Sequence, residues 1–295
     1  MHQYNWKRGI ILIRFAQRNL KLFFRDRTAV LFSLMGAIIV IALYILFLGD
    51  VWTDSLDIEG SRYLMDSWIM SGVLAITSIT ATMGAFGTFV DDRAKGIIRD
   101  FNASPVKKYE MAGGYILSTF IIGIIMSLVA LIFAEAYIVA SGGEFLSAVN
   151  MLKVLGIMLL SVISSSALVF FIVSFFHTTQ SFATASTILG TLIGFITGVF
   201  IPIGALPSVI QWVVMIFPVS HSALLFRQVF MEAPMSASFA GAPSNVIADF
   251  NHEMGVTFTY GNFTPGFEFS IVVLIITAAL FYILAILNLS RKNKV

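Results

Sequence analysis

The chain has 295 residues, of which 58% are hydrophobic and only 12% are charged. Soluble domains carry about 25% charged residues, so this composition excludes a soluble enzyme, a disordered chain and a nucleic-acid binder, and it indicates a protein that crosses a membrane several times. Cysteine is absent, which excludes disulfides, thiolate metal ligands and cysteine nucleophiles.

The first predicted element is an amphipathic helix over residues 11–27, within an N-terminal segment 1–27. Its cations recur at intervals of four, three and four residues and form one basic stripe: Arg14, Arg18, Lys21 and Arg25. Apolar side chains fill the remaining arc, which is typical of a helix lying among lipid headgroups with its cations toward anionic lipid. Two interpretations stay open: a membrane anchor, or a lever that runs along the inner surface into the first span.

Six apolar stretches are long enough to cross about 30 Å of hydrocarbon as helices. They are residues 28–48, 67–90, 111–134, 154–176, 181–201 and 269–289. We therefore predict an all-α fold in which residues 28–295 form one six-span transmembrane domain. Glu135 comes 24 residues after Met111, about 36 Å of helix, so we expect a carboxylate at the outer interface rather than an ion site inside the membrane.

The distribution of positive charge predicts the orientation. The N-terminus, the loop 91–108, the break 177–180 and the C-terminus together hold 15 of the 18 Lys and Arg residues. Cytoplasmic segments of membrane proteins are enriched in these residues. We therefore predict a multi-pass protein of the cell membrane with both termini in the cytoplasm.

The loop 91–108 combines many charges with an apolar trio, Ile97, Ile98 and Phe101. Ser104 followed by Pro105 predicts the start of a new helix, so the residues before it form a short, separate segment. An apolar face on such a segment needs a surface to cover it. The segment either folds back onto the membrane or is a docking knob for another protein.

Small and hydroxyl-bearing residues mark several spans. The fifth span carries glycines at every fourth position, which favours close helix packing: Gly190, Gly194 and Gly198. The second and fourth spans are rich in Ser and Thr. These hydroxyls either line a path or, as we expect for any single one, bond backbone carbonyls.

The segment 202–268, between the last two spans, is interrupted by three prolines, Pro202, Pro207 and Pro218. Residues 208–217 are too few to cross the membrane and too apolar for water. We predict re-entrant or interfacial half-helices on the outer side, followed by a more polar external loop over 231–267.

Motifs for chemistry are missing from the sequence. It contains no Gly-xxxx-Gly-Lys-Ser/Thr loop for nucleotide phosphates and no His-Glu-xx-His metal motif. No intramembrane catalytic pair and no internal repeat is evident, which argues against a hydrolase and an inverted-repeat secondary transporter. We therefore expect no catalytic residue, cofactor or metal in this chain.

Taken together, these residues resemble the membrane subunit, or permease, of ABC-2-type ABC exporters. The resemblance covers essentially the whole chain and is most specific over residues 197–227. The residues that carry it there are Phe200-Ile201-Pro202, Leu206-Pro207, Pro218-Val219-Ser220-His221 and Arg227. The loop residues Asp92-Arg93, Gly96 and Ala103-Ser104-Pro105-Val106 are also similar to the family pattern.

This resemblance implies a mechanism and partners. Two six-span subunits, identical or merely related, pair and are driven by two separate ATP-binding subunits that carry ATP and Mg²⁺. The N-terminal helix becomes a connecting helix, and the loop 91–108 contains a coupling helix. Docking is expected from Asp92, Arg93, Ile97, Ile98, Arg99 and Phe101.

The resemblance also implies an exit and a class of cargo. The half-helices cap the exit, with Pro202, Pro207, Pro218, His221 and Arg227 as gate residues. Apolar walls with scattered hydroxyls suit an amphiphile such as a drug, an antibiotic, a lipid or an antimicrobial peptide. A polysaccharide or glycolipid is the alternative cargo, and an ATPase-independent secondary transporter is the less favoured function.

Overall fold

A computed structural model describes residues 2–48, 60–102 and 108–291. These ranges are helical, and their sole β feature is an isolated bridge between Tyr260 and Phe263. The helices are α1 (His2–Arg25), α2 (Arg27–Leu43), α3 (Ser61–Ala94), α4 (Ile97–Asn102), α5 (Lys108–Ala140), α6 (Ala148–Val173), α7 (Thr179–Ile196), α8 (Ser208–Ile216), α9 (Pro218–Phe230), α10 (Glu232–Ser238), α11 (Ser244–Glu253) and α12 (Phe267–Arg291).

The prediction of six spans is confirmed, because six helices are long and apolar enough to cross a membrane: α2, α3, α5, α6, α7 and α12. Helix α2 continues as a π-helical turn, Tyr44–Leu48. The amphipathic N-terminal helix is also present, but it ends at Arg25 and not at Arg27. Asp26 separates it from α2, because its carboxylate accepts the backbone N–H groups of Thr28 and Ala29 and caps the new helix.

Helix α3 is the centre of the bundle and packs against α2, α5, α6, α7 and α9. Several of its buried hydroxyls bond carbonyls of their own helix, as Ser71 does to Trp68 and Thr77 to Val73, whereas Oγ of Ser67 has no partner among the described residues. Ser78 also contacts Ser165 of α6 at 3.2 Å. The expected bonds to backbone carbonyls are therefore present at Ser71 and Thr77, whereas Ser161 and Ser164 of α6 have no hydrogen-bond partner among the described residues.

The fifth span requires a correction. Helix α7 ends at Ile196, five residues before the predicted end at 201. Gly198 has φ +68° and follows the helix, and the N–H of Val199 bonds the carbonyl of Gly194 at 3.0 Å, the pattern of a Schellman cap. Gly198 is therefore a helix terminator and not the third rung of a packing ladder.

The two remaining glycines of that ladder differ from one another. A Cβ added at Gly194 would lie 2.1 Å from Cε2 of Phe200, so this glycine makes room for the chain's own next segment. A Cβ added at Gly190 would meet nothing within 4 Å. Helix packing at Gly190 therefore stays a prediction.

The predicted half-helices are confirmed. Helix α8 and helix α9 meet at an angle of 87° with Phe217 between them. Pro207 directly precedes α8, and Pro218 opens α9, where its missing N–H costs no helical hydrogen bond. The following segment, predicted as a loop over 231–267, contains two further short helices, α10 and α11.

Glu135 lies near the end of α5, as the span length predicts, but it is enclosed by protein and only 4% exposed. Its Oε2 atom accepts the backbone N–H of Leu146 at 3.2 Å. Leu146 belongs to the connection between α5 and α6. The carboxylate therefore fastens this connection to the end of the span.

Candidate functional site

At one end of the bundle, α1 crosses the beginning of α5 at two adjacent glycines. A Cβ added at Gly113 would lie 2.9 Å from Cδ1 of Leu12, and one added at Gly114 would lie 2.7 Å from Cδ1 of Phe15. Only hydrogen side chains permit so close an approach. Helix α1 therefore packs closely against α5 through Leu12 and Phe15, while the anchor and the lever both stay predictions.

A buried carboxylate joins three helices at this crossing. Asp92, near the end of α3, is 4% exposed and accepts two hydrogen bonds from Arg18 of α1, at 2.6 Å from Nη1 and 2.9 Å from Nη2. The hydroxyl of Tyr115 on α5 donates a third bond to Oδ2 of Asp92 at 2.6 Å. The hydrogen bond to Asp92 raises the pKa of Arg18, which stays charged.

Aromatic contacts extend this junction to α4. Phe15 meets the ring edges of Phe101 at 5.2 Å and Tyr115 at 5.0 Å. The guanidinium of Arg18 lies 5.6 Å from the ring centre of Phe15 and 5.7 Å from that of Phe101. Ile98 packs against the same core. We call the set Phe15, Arg18, Asp92, Phe101 and Tyr115 the Asp92 junction.

Arg93 ties α3 to the end of α6. Its Nη1 atom donates to the carbonyls of Ser174 and Phe176, both at 3.0 Å, and Nη2 lies 3.1 Å from Nε2 of His177. The last carbonyls of a helix have no partner within it, so an arginine fork at this place completes their hydrogen bonding. Arg93 is half-buried in this arrangement.

The predicted docking residues differ in how far their side chains are exposed to solvent. Asp92, predicted as a docking residue, is buried in the junction, which corrects its predicted contact with a partner. Arg93, Ile97, Ile98 and Phe101 are half-buried, whereas Arg99 is exposed. Ser104 and Pro105, the predicted helix start, lie outside the described residues.

The basic stripe of α1 divides in the same way. Arg18 turns inward to Asp92, whereas the remaining members of the stripe are exposed: Arg14, Lys21 and Arg25. The stripe and the coupling loop, predicted separately, thus meet at one junction. Sequence reasoning missed Tyr115 and the glycine pair 113–114, although two adjacent glycines in an apolar helix are a recognisable mark of close packing.

At the opposite end of α3, Arg227 of α9 is completely buried. Its Nη2 atom donates to the carbonyls of Thr197 at 2.9 Å and Gly198 at 3.0 Å, and Nη1 donates to that of Gly255 at 3.4 Å. Its guanidinium carbon lies 4.8 Å from the ring centre of Trp68. Within the described ranges, no carboxylate lies within ion-pair distance of Arg227.

His221 performs a similar task at the bend between the half-helices. Its Nε2 atom lies 2.9 Å from the carbonyl of Met215, which also accepts the hydroxyl of Tyr260 at 2.9 Å. Its Nδ1 atom lies 3.0 Å from Oγ of Ser270 on α12. Arg227 thus donates to carbonyls that directly follow α7, and His221 donates to one at the end of α8; both were predicted as gate residues.

Pro202 precedes the 3-10 turn Ile203–Ala205, which joins α7 to α8. Gly204 of that turn lies against Glu253 of α11, because a Cβ added at Gly204 would lie 2.6 Å from the Cα atom of Glu253. Of the predicted gate residues, three are buried, one is half-buried and one is exposed: Pro202, His221 and Arg227, then Pro218, and finally Pro207.

A groove of about 610 Å³ lies between α2, α3 and α7. Its lining is mostly apolar, with phenyl rings at Phe32, Phe182 and Phe195 and a few hydroxyls. It contains none of the residues predicted for docking or for the gate. The described residues also contain no group of acidic, His or Cys side chains that could hold a metal ion.

A family model described as ABC-2 family transporter protein matches residues 53–287. The chain belongs to the ABC-2 transporter family. No curated protein matches it. The matched range includes α3 to α11 and most of α12, and thus both the Asp92 side of the junction and the Arg227 region. It begins after α1, so the half of the junction that Arg18 and Phe15 provide lies outside the family match. This ABC-2 chain is a multi-pass membrane subunit of a transporter.

Proposed function

We propose that this ABC-2 chain is the permease of an ATP-driven exporter of the cell membrane, with both termini in the cytoplasm. Two copies, or one copy and a related chain, form the membrane unit, and two separate ATP-binding subunits drive it. The observation that carries this proposal is the Asp92 junction. It fixes the short helix α4 to α1, α3 and α5, while charged side chains remain at the surface beside it: Lys95, Arg99 and Asp100.

The junction supports mechanical coupling. Because Phe101 and Ile98 are packed inward, a force on α4 reaches Phe15 on α1 and, through Arg18 and Asp92, the end of α3. Densely packed groups transmit such displacements rather than absorbing them. An ATP-binding subunit shifts the permease between states only by contacting them with different free energies. In our proposal, the surface around Arg99 makes those contacts.

The groove between α2, α3 and α7 is the best supported path for the cargo. It borders the central helix α3, which ends at the Asp92 junction. Its mostly apolar lining fits an amphiphile, and the second permease would close its open side. In this proposal, ATP and Mg²⁺ belong to the partner subunits and this chain carries out no reaction itself.

The test is copurification of this chain with co-expressed candidate ABC ATP-binding subunits from the same organism, using the one that it recovers. Arg99→Glu is expected to reduce the recovered subunit and the ATP turnover about tenfold or more, with membrane insertion unchanged. Lys153→Glu is the matched control, since Lys153 is also an exposed cation but belongs to α6 and pairs with Glu232 of α10. Normal coupling in Arg99→Glu would refute the docking surface. Uphill transport by the purified chain alone, on an ion gradient, would refute the ATP-driven function.

A further inference from the structure

The groove carries hydroxyls whose hydrogen atoms are already in use. Thr187 donates to the carbonyl of Ala183 at 3.0 Å, and Thr191 donates to that of Thr187 at 2.9 Å. On the facing helix α2, Ser33 donates to the carbonyl of Val30 at 2.7 Å. A hydroxyl has one hydrogen and two lone pairs, so each of these groups can offer a ligand only an acceptor.

Thr80 of α3 follows the same pattern, with a longer bond of 3.4 Å to the carbonyl of Thr77. The fifth hydroxyl, Ser186, has no hydrogen-bond partner among the described residues, and its oxygen is buried in the groove wall. A single neutral donor of this kind cannot replace the hydration of an anion. Four of the five groove hydroxyls can therefore only accept hydrogen bonds from a ligand.

The aromatic lining has the same polarity. The rings of Phe32 and Phe195 line the groove and are well exposed, at 62% and 42%. The face of a phenyl ring carries negative charge density and attracts cations. No Lys, Arg, Asp or Glu is among the groove-lining residues that the structure describes. An anion would lose its water there without gaining a donor or a positive charge.

We propose that this groove selects amphiphiles whose polar head donates hydrogen bonds, above all organic ammonium-type cations, and excludes anionic amphiphiles. This proposal deepens the proposed function, since it rests on the groove being the cargo path. It assigns Thr187 and Thr191 as the residues that distinguish donor-bearing heads from others. It also disfavours the alternative cargo of lipid-linked sugars wherever these carry phosphate.

The test compares three dyes that share a xanthene framework: rhodamine 123, a cation with N–H donors; tetramethylrhodamine methyl ester, a cation without them; and fluorescein, an anion. Binding is measured by fluorescence anisotropy on the permease in neutral phosphatidylcholine nanodiscs, with empty nanodiscs subtracted. We expect rhodamine 123 to bind at least tenfold more tightly than fluorescein. We expect the Thr187→Val, Thr191→Val double variant to weaken rhodamine 123 about three- to tenfold and to leave tetramethylrhodamine methyl ester nearly unchanged.

Thr184→Val is the matched control, because Thr184 lies on the same helix and bonds the carbonyl of Gln180 in the same way, but it does not line the groove. Fluorescein binding as tightly as rhodamine 123, an equal loss for all dyes, or an equal loss in Thr184→Val would each overturn the proposal. So would the absence of saturable binding, which would mean that lipid or a second copy fills the groove. Selective binding without ATP-dependent transport, in contrast, would support the groove's polarity and overturn only the proposed function.

Discussion

The two ends of α3 hold an arginine in opposite ways. Near its end, the guanidinium of Arg18 meets a carboxylate, Asp92, through two hydrogen bonds. Near its beginning, Arg227 meets only backbone carbonyls and the ring of Trp68. Trp68 and Asp92 lie 24 residues apart in the sequence, about 36 Å along the helix.

The difference follows from which groups need a hydrogen-bond partner at each end of α3. Directly after α7, the carbonyls of the buried residues Thr197 and Gly198 lie outside the helical hydrogen-bond pattern, and the fork of Arg227 supplies their donors. At the Asp92 end, the charged groups instead join two separate helices, because Arg18 belongs to α1 and Asp92 to α3. The side chain of Arg18 is 32% exposed, so water can replace a lost partner there. One arginine thus supplies donors to an interrupted backbone, and the other connects two separate helices, α1 and α3.

The largest effect is expected at Arg227. Arg227→Met leaves the carbonyls of Thr197 and Gly198 without donors, and each buried unsatisfied acceptor costs about 1–3 kcal/mol. Relief of the buried charge offsets part of this loss, so we expect a net destabilisation of about 2–4 kcal/mol. The measurement is the thermal unfolding of the purified chain in detergent.

Arg227→Lys sharpens this result. Lysine keeps the charge but lacks the planar fork that reaches Thr197, Gly198 and Gly255 together. We expect it to recover less than half of the lost stability. If lysine restored wild-type stability, the charge and not the distribution of donors would be the essential feature, and the comparison between the two ends would fail.

A smaller loss of stability is expected at the Asp92 junction. There, the effects of substituting Arg18 and Asp92 should depend on each other. Arg18→Gln and Asp92→Asn should each cost about 1–2 kcal/mol, and the double variant should cost little more than either. The exposed pair Lys95 and Asp91, 3.7 Å apart, is the matched control, for which a coupling of less than about 0.5 kcal/mol is expected. Additive losses at Arg18 and Asp92 would show that the pair does not act as a unit.

Much of the fold followed from the sequence because it depends on local properties. Apolar length predicted the six spans, and the spacing of Pro207 and Pro218 predicted the half-helices. The role of Asp92 depends on Arg18, 74 residues away, and no local pattern contains that pairing. Gly198 was misassigned because its spacing from Gly194 is the same whether it continues the helix or terminates it. The positive φ of Gly198 and the hydrogen bond from the N–H of Val199 to the carbonyl of Gly194 decide between these alternatives, and both are visible only in three dimensions.

A third prediction concerns how closely α1 approaches α5. Gly114→Ala would place a Cβ 2.7 Å from the ring of the buried Phe15, so the ring must shift away from Phe101 and Tyr115. We expect a loss of about 1–2 kcal/mol, as for other overpacked contacts. Gly156→Ala on α6 is the control, because its Cβ would meet nothing within 4 Å and should be neutral or slightly stabilising. Equal behaviour of both variants would mean that α1 is not packed as closely as the structure shows.

The smallest effect is expected at Gly190, and for that reason it is informative about assembly. A Cβ added at Gly190 would meet no neighbouring atom of the described residues within 4 Å, so Gly190→Ala should change the stability of the single chain by less than about 1 kcal/mol. Gly194→Ala, in contrast, collides with Phe200 and should destabilise the chain. Gly190 is exposed and lines the groove, whose open side a second permease closes in the proposed function. If that copy packs against α7, Gly190→Ala should reduce the dimer seen by chemical cross-linking in native membranes without lowering the unfolding temperature. An unchanged dimer would remove Gly190 from the pairing surface and leave the close packing predicted for it without a partner.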